Sequence, residues 1–355
     1  MSAVTAAGGP AIFHGWKILG TVFLTQGLAT GFTTYAFGFF SQHVSTEFGV
    51  SLSTVTLGMS GHMLAVAVIS PWLGSQLDHR QIRGIMLGGA LCLGASLGVI
   101  SVSSSLLLTG FAYSVGISIA MGCIGPLAAS KLISAWFWKK RARALGIGAI
   151  GTSVAGFAVP PLLQLAIETW GWRGAVAASG IASTLLALPF IALFIRNRPA
   201  DVGLFPDGGD MEPPPPLGGN VSWSLGLLAR DRSFWAITVA AGTIMATVGA
   251  LVPNLVPYLE TIGVGAKDAS LLFPVLSVGG IIGKLAFAAI GHRFDNRALL
   301  IVTHSFIAAF VLILMSAPSY PVLALGAFII GLALGGVLPL WSAVLAEIYG
   351  SESFG

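Results

Sequence analysis

Charge is scarce in this sequence. Only 8% of its 355 residues are Asp, Glu, Lys or Arg, where a soluble domain carries about a quarter. A water-facing surface cannot be covered with so few, which excludes a soluble enzyme and makes lipid the solvent for much of the chain. Cysteine is almost absent. Cys92 and Cys123 both lie in apolar stretches and show no zinc or redox spacing, so they read as small packing residues. No Walker-type phosphate loop occurs, and nothing implies ATP or any other cofactor. No clustered catalytic set appears either, so an enzyme is not expected.

Long apolar runs are what the sequence has instead. A membrane helix needs about 20 predominantly apolar residues. Charge-free runs long enough for one span each cover 18–46, 48–77, 144–167, 174–195 and 233–259. Runs 84–130 and 298–346 are long enough for two each, broken near 101–105 and 317–321. Residues 269–290 form a further span interrupted by one charge, Lys284. The expectation is an all-α protein with ten spans. The first run is too long for the core of a cleaved signal peptide and reads as span 1.

The net charge of +4 resembles a nucleic-acid signal until the charges are located. Thirteen of the 17 Lys and Arg residues fall before span 1 or in alternate loops, at Lys17, 80–83, 139–143, 196–232 and 293–297. The opposite loops hold only Arg173 and Lys267. Such bias marks the cytoplasmic side, so the N-terminus and the 197–231 segment are expected there, in a multi-pass protein of the plasma (inner) membrane. The aromatic and basic residues of 136–143 read as an interface anchor, with no nucleic-acid partner. Segment 197–231 carries acids and the run Pro213–Pro216, and reads as an extended linker. The chain thus divides into a six-span bundle (1–196), a linker (197–231) and a second bundle (232–355).

A repeat crosses that linker. The loop after span 2 has Gly74, Asp78 and Arg80; the loop after span 8 has Gly291, Asp295 and Arg297. Both give Gly, Asp four later and Arg two later, in the same slot of each half. Matching internal repeats are a transporter signature. Glycine suits a turning helix end or a close neighbour, and the aspartate can pair with the arginine or with a helix N-terminus. Such a pair suits a gate, although ordinary loop capping would use the same residues.

These loops resemble the signature of the major facilitator superfamily, whose fold has two six-helix bundles; ten of an expected twelve helices are then present, as in a truncated chain. Locally, Trp136–Gly146, Gly171–Gly174, Tyr35–Gly38 and Arg198–Gly203 are similar to the monocarboxylate-porter and oxalate/formate-antiporter branch. The resemblance implies alternating access around a central site lined by spans 1, 4, 7 and 10. It brings forward Gln26, Tyr35, Asn254 and Trp341 as substrate contacts, with interhelical packing as the bland alternative. Prolines at 126, 253, 257, 274 and 339 allow helix breaks that would expose dipole ends to a ligand. Two departures stand out. Animal-type porters carry a lysine at the position of Phe39 and an aspartate at that of Gly280.

Lys284 is the sharpest candidate. A charge at depth costs several kcal/mol on insertion scales, and no Asp or Glu falls inside any span to neutralise it. One reading is a cation for a carboxylate substrate, by likeness to a basic position in the resembling anion transporters. The other is a lysine snorkelling from about two turns inside the cytoplasmic end. His62, midway along span 2, suits a proton carrier, an anion donor or a packing histidine. The expected function is secondary transport of a small organic anion, mono- or dicarboxylate, coupled to a proton or a counter-anion. Efflux of amphipathic or drug-like compounds is the alternative, and a non-transporting receptor or scaffold is the reading from another class.

Overall fold

The computed structural model describes residues 13–209, 227, 229–290, 295–316 and 319–349. No strand occurs among them. Helix α1 (His14–Thr30) passes through a π turn (Gly31–Tyr35) into α2 (Phe37–Phe48). Helices α3 (Leu52–His79) and α4 (Ile82–Val102) follow. Then α5 (Leu106–Phe111) runs through a second π turn (Ala112–Ile117) into α6 (Ser118–Ile124), and α7 (Pro126–Trp136) begins after a break at Gly125. Next come α8 (Arg141–Phe194), α9 (Arg232–Thr261), α10 (Ala266–Ile290), α11 (Asn296–Met315) and α12 (Tyr320–Tyr349).

Eight helices among the described residues are long and apolar enough to cross a membrane. The difference from the expected ten falls at two places. The π turn divides the first run, 14–48, into pieces too short to be counted separately. Helix α8 is counted once, although its 54 residues would span about 80 Å if straight. It is not straight: Gly171, at φ 69° and ψ 167°, leaves the helical region and turns the chain back. That backbone favours glycine, and Gly171 sits inside the Gly-Trp-Arg-Gly motif. The expected proline breaks are fewer than the prolines. Pro126 starts α7 after the break, whereas Pro253, Pro257 and Pro274 lie within continuous helices.

Packing follows the small residues. In the first half, Gly27 of α1 meets the Gly151 carbonyl of α8, and Gly94 of α4 meets the Gly180 turn of α8 beyond the bend. In the second half, Gly279 and Gly283 of α10 lie against the Phe328 and Leu332 carbonyls of α12. Gly331 and Gly335 of α12 lie in turn against Leu276 and Gly280. A side chain at any of these four would meet backbone, which cannot move aside as a flexible side chain can. Close approach of this kind replaces the hydrophobic drive that helices lack in lipid.

The basic end of the first half is tied together by its anchors. Trp136 is fully buried and donates Nε1–H to the Arg196 carbonyl at 3.1 Å. Phe13 stacks against both Trp136 and Phe137, and His14 bonds the Phe194 carbonyl at 2.8 Å. The start of the linker is held here too. The Asp207 carboxylate accepts the backbone N–H groups of Trp138, Lys139 and Lys140, at 3.0, 2.6 and 3.3 Å. It therefore ties down the turn between α7 and α8, just ahead of the α8 N-terminus, where an anion is favoured.

Candidate functional site at the α8–α10 seam

Lys284 does not snorkel. It is part-buried, and its ammonium crosses from α10 to the first arm of α8. There Nζ donates to the Ala149 carbonyl at 2.7 Å, to Ser153 Oγ at 2.7 Å and to Thr152 Oγ1 at 3.2 Å. All three acceptors are neutral. Hydrogen bonds to a charged group contribute about 1.5–3 kcal/mol each, enough together to offset a lysine's insertion cost of about 3 kcal/mol. Gly280 permits the contact, since a Cβ there would lie 3.3 Å from Ser153 Oγ.

Ser277 stands two turns before Lys284, on the same face of α10. It is 1% exposed, and its hydroxyl has no hydrogen-bond partner among the described residues. Gly156 of α8 lies opposite, and a Cβ there would meet both Ser277 Oγ and the Tyr35 ring. Tyr35 closes the π turn of the first run and lies edge-on to Phe273 of α10, with centroids 5.9 Å apart at 87°. Phe39 packs on the same Phe273 ring at 5.7 Å. An aromatic side chain thus occupies the slot where the resembling porters carry a lysine.

Gln26 reaches the same turn of α8 from the α1 side. It is 5% exposed, its Nε2 lies 3.5 Å from a Cβ placed at Gly148, and it makes no hydrogen bond among the described residues. Lys284, Tyr35 and Gln26 therefore border one region of α8. Thr152, Ser153, Ser277 and Phe273 border it too, and sequence reasoning did not single them out. A signal existed for three of them: hydroxyls inside otherwise apolar, charge-free runs, one of them seven residues before Lys284.

Other candidates lie elsewhere. His62 of α3 is buried against the second π turn and the start of α6. Its Nδ1 shares a 2.7 Å hydrogen bond with Ser118 Oγ, and its ring lies 5.8 Å from that of Tyr113. Tyr113 itself donates to the Thr33 carbonyl at 2.7 Å, joining the two π turns. Asn254 donates to Ala250 one turn back at 2.8 Å. It lines a shallow groove of about 300 Å³ with Ser53, Thr56 and Ser60 of α3. The Trp341 side chain lies outside the described residues, as do Gly291 and the side chains of Asp78 and Arg297. Gly74 lies within α3, and a Cβ there would meet no neighbour within 4 Å. Arg80 follows α3 in extended conformation, and Asp295 accepts at the start of α11 through its carbonyl, from Leu299 N–H at 3.1 Å.

At the opposite end, Arg173 donates to Glu47 through Nε at 3.0 Å and Nη2 at 2.7 Å, and Trp172 donates to the same carboxylate at 2.8 Å. The remaining guanidinium donors take the Ser101 and Ser103 carbonyls at the end of α4, at 2.8 and 2.7 Å. The Arg173 hydrogen bonds hold Glu47 below the ordinary carboxylate pKa. One residue of the Gly-Trp-Arg-Gly motif thus ties three segments.

Known proteins of several kinds share this architecture. The model of the Major Facilitator Superfamily matches residues 22–355. Monocarboxylate transporter 12-B of Danio rerio is 28% identical over 257 residues, covering 66% of this chain and 51% of the relative. Human monocarboxylate transporter 11 is 29% identical, covering 79% and 56%; the mouse protein of that name is 29% identical, covering 97% and 76%. The chain thus spans about half the length of the first two. Among solved structures, a bacterial homologue of the human lysosomal transporter Spinster superposes with a TM-score of 0.68 at 18% identity, over 97% of this chain and 78% of that one. The match along nearly the whole sequence and the shared helical fold agree, and the chain belongs to the Major Facilitator Superfamily, a family of multi-pass membrane transporters and not of enzymes.

Proposed function

We propose that this chain belongs to a secondary active transporter that moves a small organic anion, mono- or dicarboxylate, by alternating access. The observation that carries the reading is Lys284. It is a cation held inside a helix pair by three neutral acceptors, with no carboxylate among its partners in the described residues. Neutral acceptors leave its charge uncompensated, and an anionic ligand is the complement. Tyr35 and Ser277 add two hydroxyls with no hydrogen-bond partner among the described residues, both near the same seam. The relatives are named for monocarboxylates, which agrees in chemistry.

The plan takes ten crossing segments, reading α8 as two at Gly171 and adding the α1–α2 run to the eight counted helices. The two bundles are 1–196 and 232–355, joined by the linker 197–231. Basic loops put the N-terminus and the linker in the cytoplasm of a cell whose plasma (inner) membrane holds the protein. Gly74, Asp78 and Arg80, with Gly291, Asp295 and Arg297, form the cytoplasmic gate. A proton or counter-anion is coupled to the substrate.

The test is uptake of radiolabelled lactate and oxalate into proteoliposomes. Lys284→Ala should abolish uptake while circular dichroism and elution volume stay as in the unaltered protein. Uptake that survives the substitution would sink the anion reading.

A further inference from the structure

The contacts of Lys284 have a feature that a simple substrate ligand does not need. Its acceptors all belong to α8, on the other side of the seam from the helix that carries the lysine. On the α12 side, α10 is fixed by glycine-to-backbone packing. On the α8 side, it is joined by small residues and by this one ammonium. Ser153 is 6% exposed, and Gly280 leaves room for its hydroxyl to reach α10. Thr152 has an alternative of its own, since its hydroxyl also donates to Ala149 at 2.9 Å. Ser153 has no such local bond among the described residues; its partner is the lysine.

We infer that Ser153 is a positioning residue. It holds Lys284 as a neutral, exchangeable stand-in for the substrate carboxylate, so that anion binding and the α8–α10 contact compete for one ammonium. The inference rests on the anion reading above. An ammonium has three donors, and here all three are spent on α8. A carboxylate can be accepted only by withdrawing at least one. By linkage, a ligand that binds better when the seam is loosened must itself loosen it. A neutral hydroxyl suits the task, because it satisfies the buried charge without the strength of a carboxylate partner. The seam is therefore held when the site is empty and released when an anion arrives.

The prediction runs against the usual expectation for a site mutation. Removing the Ser153 hydroxyl should tighten anion binding, since the anion no longer displaces it. A coupling of roughly 5- to 20-fold lies within the range of such linked equilibria. The experiment measures equilibrium binding of radiolabelled oxalate and lactate to the purified 355-residue chain, alongside the distance between spin labels at positions 143 and 286. Ser153→Ala should lower the dissociation constant about tenfold and lengthen the label distance without ligand. Ser153→Thr, which keeps the hydroxyl, should restore both. A dissociation constant in Ser153→Ala that is unchanged or higher overturns the inference, as does an unchanged distance. Lys284→Met separates the two ideas. If it binds anion as the unaltered protein does, the anion reading fails. If it loses anion binding while Ser153→Ala binds no tighter, only the competition fails.

Discussion

Arg173 and Glu47 are joined by two hydrogen bonds, 2.7 and 3.0 Å, at the end of the molecule that has almost no basic residues. Trp172 adds a third to the same carboxylate. The arginine bonds lower the pKa of Glu47 from its ordinary 4.5. A carboxylate with a depressed folded-state pKa stabilises fully above its unfolded value and loses that contribution as pH falls through the folded one. The melting temperature of the protein should therefore exceed that of Glu47→Gln by a constant margin above about pH 5.5, and the margin should shrink below about pH 4. A margin independent of pH down to about pH 3 would show that the pair contributes nothing through ionisation.

Asp207 makes a different demand on the linker. Its carboxylate meets three consecutive N–H groups while its own backbone sits at φ 60°. A hydrogen bond of this kind contributes about 0.5–1.5 kcal/mol net. Asp207→Ala should make 197–209 exchange amide hydrogen faster and lower the melting temperature by a few degrees. Asp207→Asn, which tolerates the same backbone but lacks the charge, should fall between. Unchanged exchange in 197–209 would mean that the linker is held by Phe13 and Gly208 packing alone.

Much of this was readable beforehand, and the part that was not has a common cause. Hydropathy and loop charge located every apolar run, because burial in lipid acts on whole segments. Lys284 was visible as the one charge within a run. Its partners were not, because Thr152 and Ser153 are ordinary in a membrane helix and matter only through a helix more than 130 residues away. The π turns were also hidden: each adds one residue to a turn without changing hydropathy, yet they bring the Tyr113 hydroxyl to the Thr33 carbonyl. The space around Gly74 is open among the described residues, which hydropathy could not indicate.

His62 tests where the site ends. It is 3% exposed and bonded to Ser118 within the first half, with no hydrogen bond to the Lys284 region among the described residues. His62→Ala should destabilise by about 1–3 kcal/mol, by leaving Ser118 less satisfied and opening a small void. The oxalate dissociation constant of the folded fraction should stay within about twofold of the original. A larger loss of affinity, with the fold intact, would bring His62 into the site.

Gly283 tests the other side of α10. A Cβ there would press into the Leu332 backbone of α12. Gly283→Val should cost about 2–4 kcal/mol or prevent folding, since overpacking against backbone has no side-chain escape. Gly74→Ala, with open space around it, should be near neutral or slightly stabilising by helix propensity. Equal melting temperatures for Gly283→Val and the unaltered protein would refute the close packing.

Helix α10 thus has two unlike seams. Against α12 the contact is glycine to backbone, and parting it would forfeit dispersion that no side chain is long enough to replace. Against α8 the contact includes an ammonium and hydroxyls, which water or a ligand can take over one at a time. In mechanical terms α10 has one strong face and one weak face, and the weak one looks toward α8. On this packing α10 and α12 should travel as a single slab. The same asymmetry gives Lys284 a tactile role: it is the group through which the slab registers what lies beyond its weak face.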